Sequence, residues 1–145
     1  MRKLASNLLL TLGSRSYRAD LCLTLYENKQ PAIVLLSSRP EDFDENRAYF
    51  SEVLTTATVA VPPAYLTGLG PNLIVAKDYT ENEGLWAQLL PLTDPNDLPL
   101  FLPLSPPRHL TLGFATCQVL RLGVLPAAIY NEQLFNRKVF EDEQA

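Results

Sequence analysis

ADLCLTLYENKQPAIVLL, residues 19–36, decides how the rest of the chain is read. Ala19, Leu21, Leu23 and Leu25 alternate with Asp20, Cys22, Thr24 and Tyr26. Strand side chains point to opposite faces in turn, so this period of two predicts a half-buried strand over 19–26. Glu27-Asn28-Lys29-Gln30 supplies turn polarity. Ala32, Ile33, Val34, Leu35 and Leu36 then form an unbroken apolar run, the mark of a second, more buried strand. The two make a hairpin.

Upstream, Leu4, Leu8 and Leu12 recur every four residues with Ala5 and Leu9 alongside, and Gly13 is placed to stop them. That spacing predicts a short amphipathic helix over 2–12. Downstream, Ser38 with Glu41 has the form of a capping box, and Pro40 sits in the tolerated first turn. Phe43, Arg47, Phe50, Val53, Leu54 and Ala57 follow at helical spacing, which predicts a second helix over 41–57. Residues 73–76 read as a strand. Leu85, Trp86, Leu89 and Leu90 give a helical stripe closed by Pro91, with a strand over 85–92 as the alternative.

Residues 92–107 hold five prolines, Pro95, Pro99, Pro103, Pro106 and Pro107, among Leu98, Leu100, Phe101, Leu102 and Leu104. Proline cannot donate to a ladder, so this stretch is expected to be an extended edge or a polyproline-like segment and not a central strand. Over 109–124, Leu110, Leu112, Phe114, Leu120, Leu122 and Val124 alternate as in a strand, while Phe114, Cys117, Leu120 and Val124 also fit a helical face. Gly113 and Gly123 tilt the reading to a strand, with the helix as the alternative. Residues 127–140 read as a helix or hairpin, and 141–145 as a frayed acidic tail. No internal repeat or dividing linker stands out. The expectation is a single α+β domain over 1–145, a largely antiparallel sheet with an N-terminal hairpin and two to four helices packed on it.

Composition narrows the function classes. The chain is 47% hydrophobic and 19% charged, enough apolar surface to offset the entropy of ordering. Its net charge is −4 and its pI about 4.9. Phosphate backbones are bound by clustered Lys and Arg, and here Arg2-Lys3, Arg15 with Arg18, and Arg137-Lys138 are scattered and lack interleaved aromatics. Nucleic acid and anionic membranes are therefore not the expected partners. No apolar run approaches the roughly 20 residues that span a bilayer. Two cysteines, Cys22 and Cys117, in apolar runs fit a reducing cytoplasm and two small buried side chains.

No constellation for catalysis or metal binding emerges. His109 is the only histidine, and neither Ser105 nor Cys117 stands in a nucleophile motif with it. One His and two distant Cys do not make a metal site. What remains is apolar surface beside Pro- and Gly-rich segments: Tyr65, Leu66, Trp86, Leu100, Phe101 and Leu102 are the candidate partner-binding residues. No cofactor is expected.

The short N-terminal helix, the acidic balance, the single-domain size and the stretches PNLIVAKDY (71–79) and LWAQLLPLTDPNDLP (85–99) resemble small cyanobacterial assembly factors of the carboxysome shell or of photosynthetic complexes. That resemblance implies a non-catalytic cytoplasmic chaperone capturing a partner's segment or a subunit edge in an apolar groove. The alternative readings are a small apolar-ligand or sensor domain and, third, a Cys/Ser–His enzyme.

Overall fold

Residues 2–38, 53–70 and 72–123 are described in the computed structural model. The alternating stretch at the centre of the sequence forms β2 (Arg15–Leu25), and the apolar run after the turn forms β3 (Pro31–Ser37). They pair antiparallel, with Leu21 opposite Leu35 and Leu23 opposite Ile33. β1 (Arg2–Leu12) flanks β2, and β4 (Val53–Thr56) flanks β3, giving a four-stranded sheet in the order β1-β2-β3-β4. A second sheet holds β5 (Leu73–Val75), β6 (Phe101–Leu112) and β7 (Ala115–Leu122) in the order β5-β7-β6. Between β5 and β6 lies the only α-helix among the described residues, α1 (Leu85–Leu89).

The architecture is thus mostly antiparallel β-sheet and corrects the α+β expectation of two to four helices. Residues 2–12 are a strand. Their i, i+4 spacing is shared by a helix and by one face of a strand, and two register shifts, between Lys3 and Ala5 and between Ala5 and Leu8, blur the period of two. At the second shift Asn7 takes φ +55° and its N–H donates to Asp20 Oδ1 at 2.9 Å. Lys3 Nζ lies 3.2 Å from the same carboxylate, which is buried on β2. Leu54 and the residues around it, expected to close a long helix, belong to β4. The rest of that expected helix, the segment 127–140 and the acidic tail lie outside the described residues.

One segment ties the sheets together. After β4, Ala57 N–H donates to Ile33 O in the first sheet, and Lys77 N–H donates to Ala57 O from beside β5. Val59 N–H continues to Val75 O. The main core draws on both sheets: Leu21, Leu23, Ile33 and Leu35 meet Ile74, Leu120, Leu122 and Phe101, with Leu85, Trp86 and Leu89 of α1 closing one end. α1 is held by side chains. Its Trp86 N–H donates to Asp78 Oδ1 (3.1 Å), and Trp86 Nε1–H donates to Ala57 O (2.8 Å). Asn82, fully buried just before it, accepts from Thr55 Oγ1–H (2.8 Å) and donates to Thr56 O (3.0 Å). A buried amide so satisfied fixes where α1 sits.

A repeat that the sequence reading missed emerges here. Leu-Thr-Leu-Gly occurs at 10–13 and again at 110–113. In both places it carries a hairpin of the same register: Leu12 faces Arg15, and Leu112 faces Ala115. Gly13 (φ +64°) and Gly113 (φ +61°) each open a two-residue turn, where positive φ at the first position is the glycine-favouring II′ pattern.

Candidate functional site: the outer edge of the second sheet

The six residues singled out from sequence separate into two groups. Leu100, Phe101 and Trp86 are buried in the main core, which corrects their assignment to a binding surface. Phe101 packs edge-on to Trp86, ring centroids 4.9 Å apart at 77°. These side chains cannot touch a partner without opening the core. Tyr65 (54% exposed) and Leu102 (38%) remain at the surface, and Leu66 is half-buried. Tyr65 and Leu66 lie on a single 3₁₀ turn, Pro63–Leu66. Leu102 faces Arg121, whose guanidinium donates to Leu69 O at 3.0 Å.

Leu66 and Leu69 belong to a second apolar cluster on the outer face of the second sheet. Its floor is Leu73, Val75, Cys117 and Val119, and its half-buried rim includes Leu104, Leu110 and Leu112 of β6. Phe114, 85% exposed at the tip of the β6–β7 hairpin, is the most exposed large apolar side chain among the described residues. Its ring stands edge-on to Tyr79, centroids 5.7 Å apart. Lys77 Nζ lies 5.6 Å over the same tyrosine and 2.5 Å from Glu81 Oε1.

β6 ends the sheet, so one side of it has no neighbouring strand among the described residues. Backbone bonds in an antiparallel pair alternate, and a two-residue turn makes its flanking residues a bonded pair. Leu112:Ala115, Leu110:Cys117 and Arg108:Val119 are then bonded towards β7. The N–H and C=O of His109 and Thr111 consequently point away from β7. Both residues are exposed, and nothing among the described residues pairs with these outward groups. Upstream, Pro103, Pro106 and Pro107 cannot donate, and the register breaks between Pro103 and Arg108. The edge left open among the described residues is therefore five residues, 108–112.

The sister hairpin treats the same place differently. Thr11 N–H donates to Gln88 Oε1, and Gln88 Nε2–H donates to Thr11 O, both at 2.8 Å. The carboxamide of α1 thus occupies the edge of β1 as one residue of a neighbouring strand would. Gln88 is steadied by a further bond to Gly84 O at 3.1 Å. At Thr111, the matching residue of the second repeat, no such plug is present among the described residues.

Among the described residues no side chains are arranged for nucleophilic catalysis. His109 makes no hydrogen bond to Ser105 or Cys117 among the described residues. Burial pushes the Cys117 thiol up, and pushes Cys22 up to about 11 with the Asp20 carboxylate adding to it. A thiol so raised holds little of the thiolate that attacks or ligates. No group of three or more His, Cys, Asp or Glu among the described residues is placed to hold a metal ion. No helix among them is long and apolar enough to cross a membrane.

The fold and this edge define a β-sheet protein in which, among the described residues, one sheet margin is plugged and its counterpart open. No family model, curated protein or solved structure matches the chain. Four residues of the site, Arg108, His109, Thr111 and Phe114, were not singled out from sequence as binding residues, nor was the plug, Gln88. The signal that could have found them is the repeated Leu-Thr-Leu-Gly, which marks two equivalent edges.

Proposed function

We propose that this protein is a non-catalytic binding module that captures an extended segment of a protein partner as an added strand on β6. The observation that carries this reading is the main-chain edge at His109 and Thr111, open among the described residues, set against the plugged edge at Thr11. Unpaired strand edges are templates for another chain, and proteins that have no use for them block them. Main-chain bonds supply affinity in this mode, and pockets for alternate side chains supply selectivity. The half-buried Leu110 and Leu112, with Leu104 further along the strand, provide apolar contact beside the edge. An assembly factor or chaperone working in the cytoplasm is the role this capture fits, in line with the resemblance of the sequence.

Thr111→Pro tests the reading. The Thr111 N–H faces outward, so proline there removes no bond to β7 but denies the edge its central donor. Affinity capture from the native host with both proteins should recover a partner on the wild type that the variant loses. Equal recovery on a variant that still folds would refute strand capture.

A further inference from the structure

The geometry points to a definite pattern in the captured segment: it runs antiparallel to β6 and reads apolar-x-apolar-x-Asp/Glu from its N-terminus. This rests on the strand-capture reading and adds orientation, register and charge to it.

Residues directly opposite in neighbouring strands share a face. Leu112 and Leu110 present half-buried side chains to the outer cluster, and the period of two puts Arg108 on the same face. An antiparallel ligand meets Leu112 first, Leu110 two residues later and Arg108 two residues after that. Apolar side chains at the first two positions extend the Leu rim. At the third, Arg108 is exposed, and no acidic group pairs with it among the described residues. A carboxylate opposite it gains a cross-strand charge pair. The two intervening ligand residues face Thr111 and His109 and exchange main-chain bonds with them. Their side chains fall on the exposed, polar face of β6. Antiparallel order matches every other pairing in the two sheets and gives the bonds their straighter geometry. The net charge of −4 does not oppose an acidic ligand, since charges beyond about 8 Å are largely screened at physiological salt while the Arg108 contact is direct.

The test uses the full chain and fluorescein-labelled peptides read by anisotropy. GSVTVTEGS is the forward pattern, SGETVTVSG its reversal, and GSVTVTKGS its charge swap. The forward peptide should bind most tightly. The charge swap should weaken binding about two- to fivefold, the scale of an exposed ion pair, and Arg108→Glu should invert the preference between those two peptides. N-methylation of both threonines in the forward peptide removes the ligand's donors, leaves the protein untouched and should abolish binding. If all three peptides bind equally and N-methylation still abolishes binding, strand capture stands and the pattern is wrong. If none binds the wild type, or the N-methylated peptide binds as well as its parent, both fail. Sedimentation of the unliganded chain as a dimer that Thr111→Pro dissociates would assign the edge to a second copy and overturn the proposal.

Discussion

Phe101 illustrates how a side chain changes meaning between sequence and structure. Set among prolines, it reads as an anchor on a stiff segment; in the fold it is buried against the edge of the Trp86 indole. Pro103, Pro106 and Pro107 lie within the edge strand β6, while the residue at the start of the strand turns inward opposite Leu122. Phe101→Ala should therefore cost roughly 3 to 5 kcal/mol of stability through lost transfer energy and the cavity left behind. Urea unfolding reads this, and a shift below about 1 kcal/mol, as for surface substitutions, would contradict the packing. A second prediction at this scale concerns Glu81, which hydrogen bonds from Lys77 and Thr80 hold down to about 2. A carboxyl lowered on folding adds stability above its unfolded pKa and loses it as pH falls towards the folded value. The pair is exposed, so the contribution is less than about 1 kcal/mol. Wild type should exceed Glu81→Gln slightly at pH 6 and the two should converge at pH 2. A gap that widens on acidification would reverse the assigned sign.

At the scale of elements, what was legible followed one rule: alternation survives where pairing is regular. β2 keeps an unbroken register with β3 over seven residues, and its alternation stands out in the sequence. β1 does not, because its bulges break the phase and leave Leu4, Leu8 and Leu12 at a spacing common to both periods. Leu10, buried, and Leu9, exposed, show which period governs, and that distinction depends on a neighbouring strand. β4 is four residues long and is held by β3 and by Asn82, contacts that no local propensity reveals. The binding edge was half legible. Prolines marked β6 as an edge, but the open part lies downstream of them, and its contrast with β1 needs Gln88, which is distant in sequence. That plug makes a testable claim. Gln88→Ala should speed amide exchange at Thr11 and cost about 1 to 2 kcal/mol for two bonds. Gln88→Glu keeps the acceptor for Thr11 N–H but loses the donor to Thr11 O, so exchange there should stay slow. Equal acceleration in both variants would show that the carboxamide is not what closes this edge.

The whole molecule depends on residues 57–59, which pair with β3 on one side and with β5 on the other. Two sheets joined only by a loop could unfold separately. Here the main core takes Leu21, Leu23, Ile33 and Leu35 from one sheet and Ile74, Leu120, Leu122 and Phe101 from the other, so neither sheet can leave without exposing its partner's buried face. Trp86, the only tryptophan in the chain, sits in that shared core and donates to Ala57, inside the joining segment. Its fluorescence therefore reports loss of the contact between sheets, whereas far-UV circular dichroism reports loss of the strands themselves. For a cooperative unit the two signals follow one transition. The urea midpoints from Trp86 emission and from circular dichroism should coincide. Ala57→Gly, which loosens the joining segment while leaving both hairpins intact, should lower both midpoints together. If the tryptophan signal instead moved ahead of the circular dichroism, the sheets would be separable units. The open edge of β6 would then be carried by a sheet that holds its shape without the other.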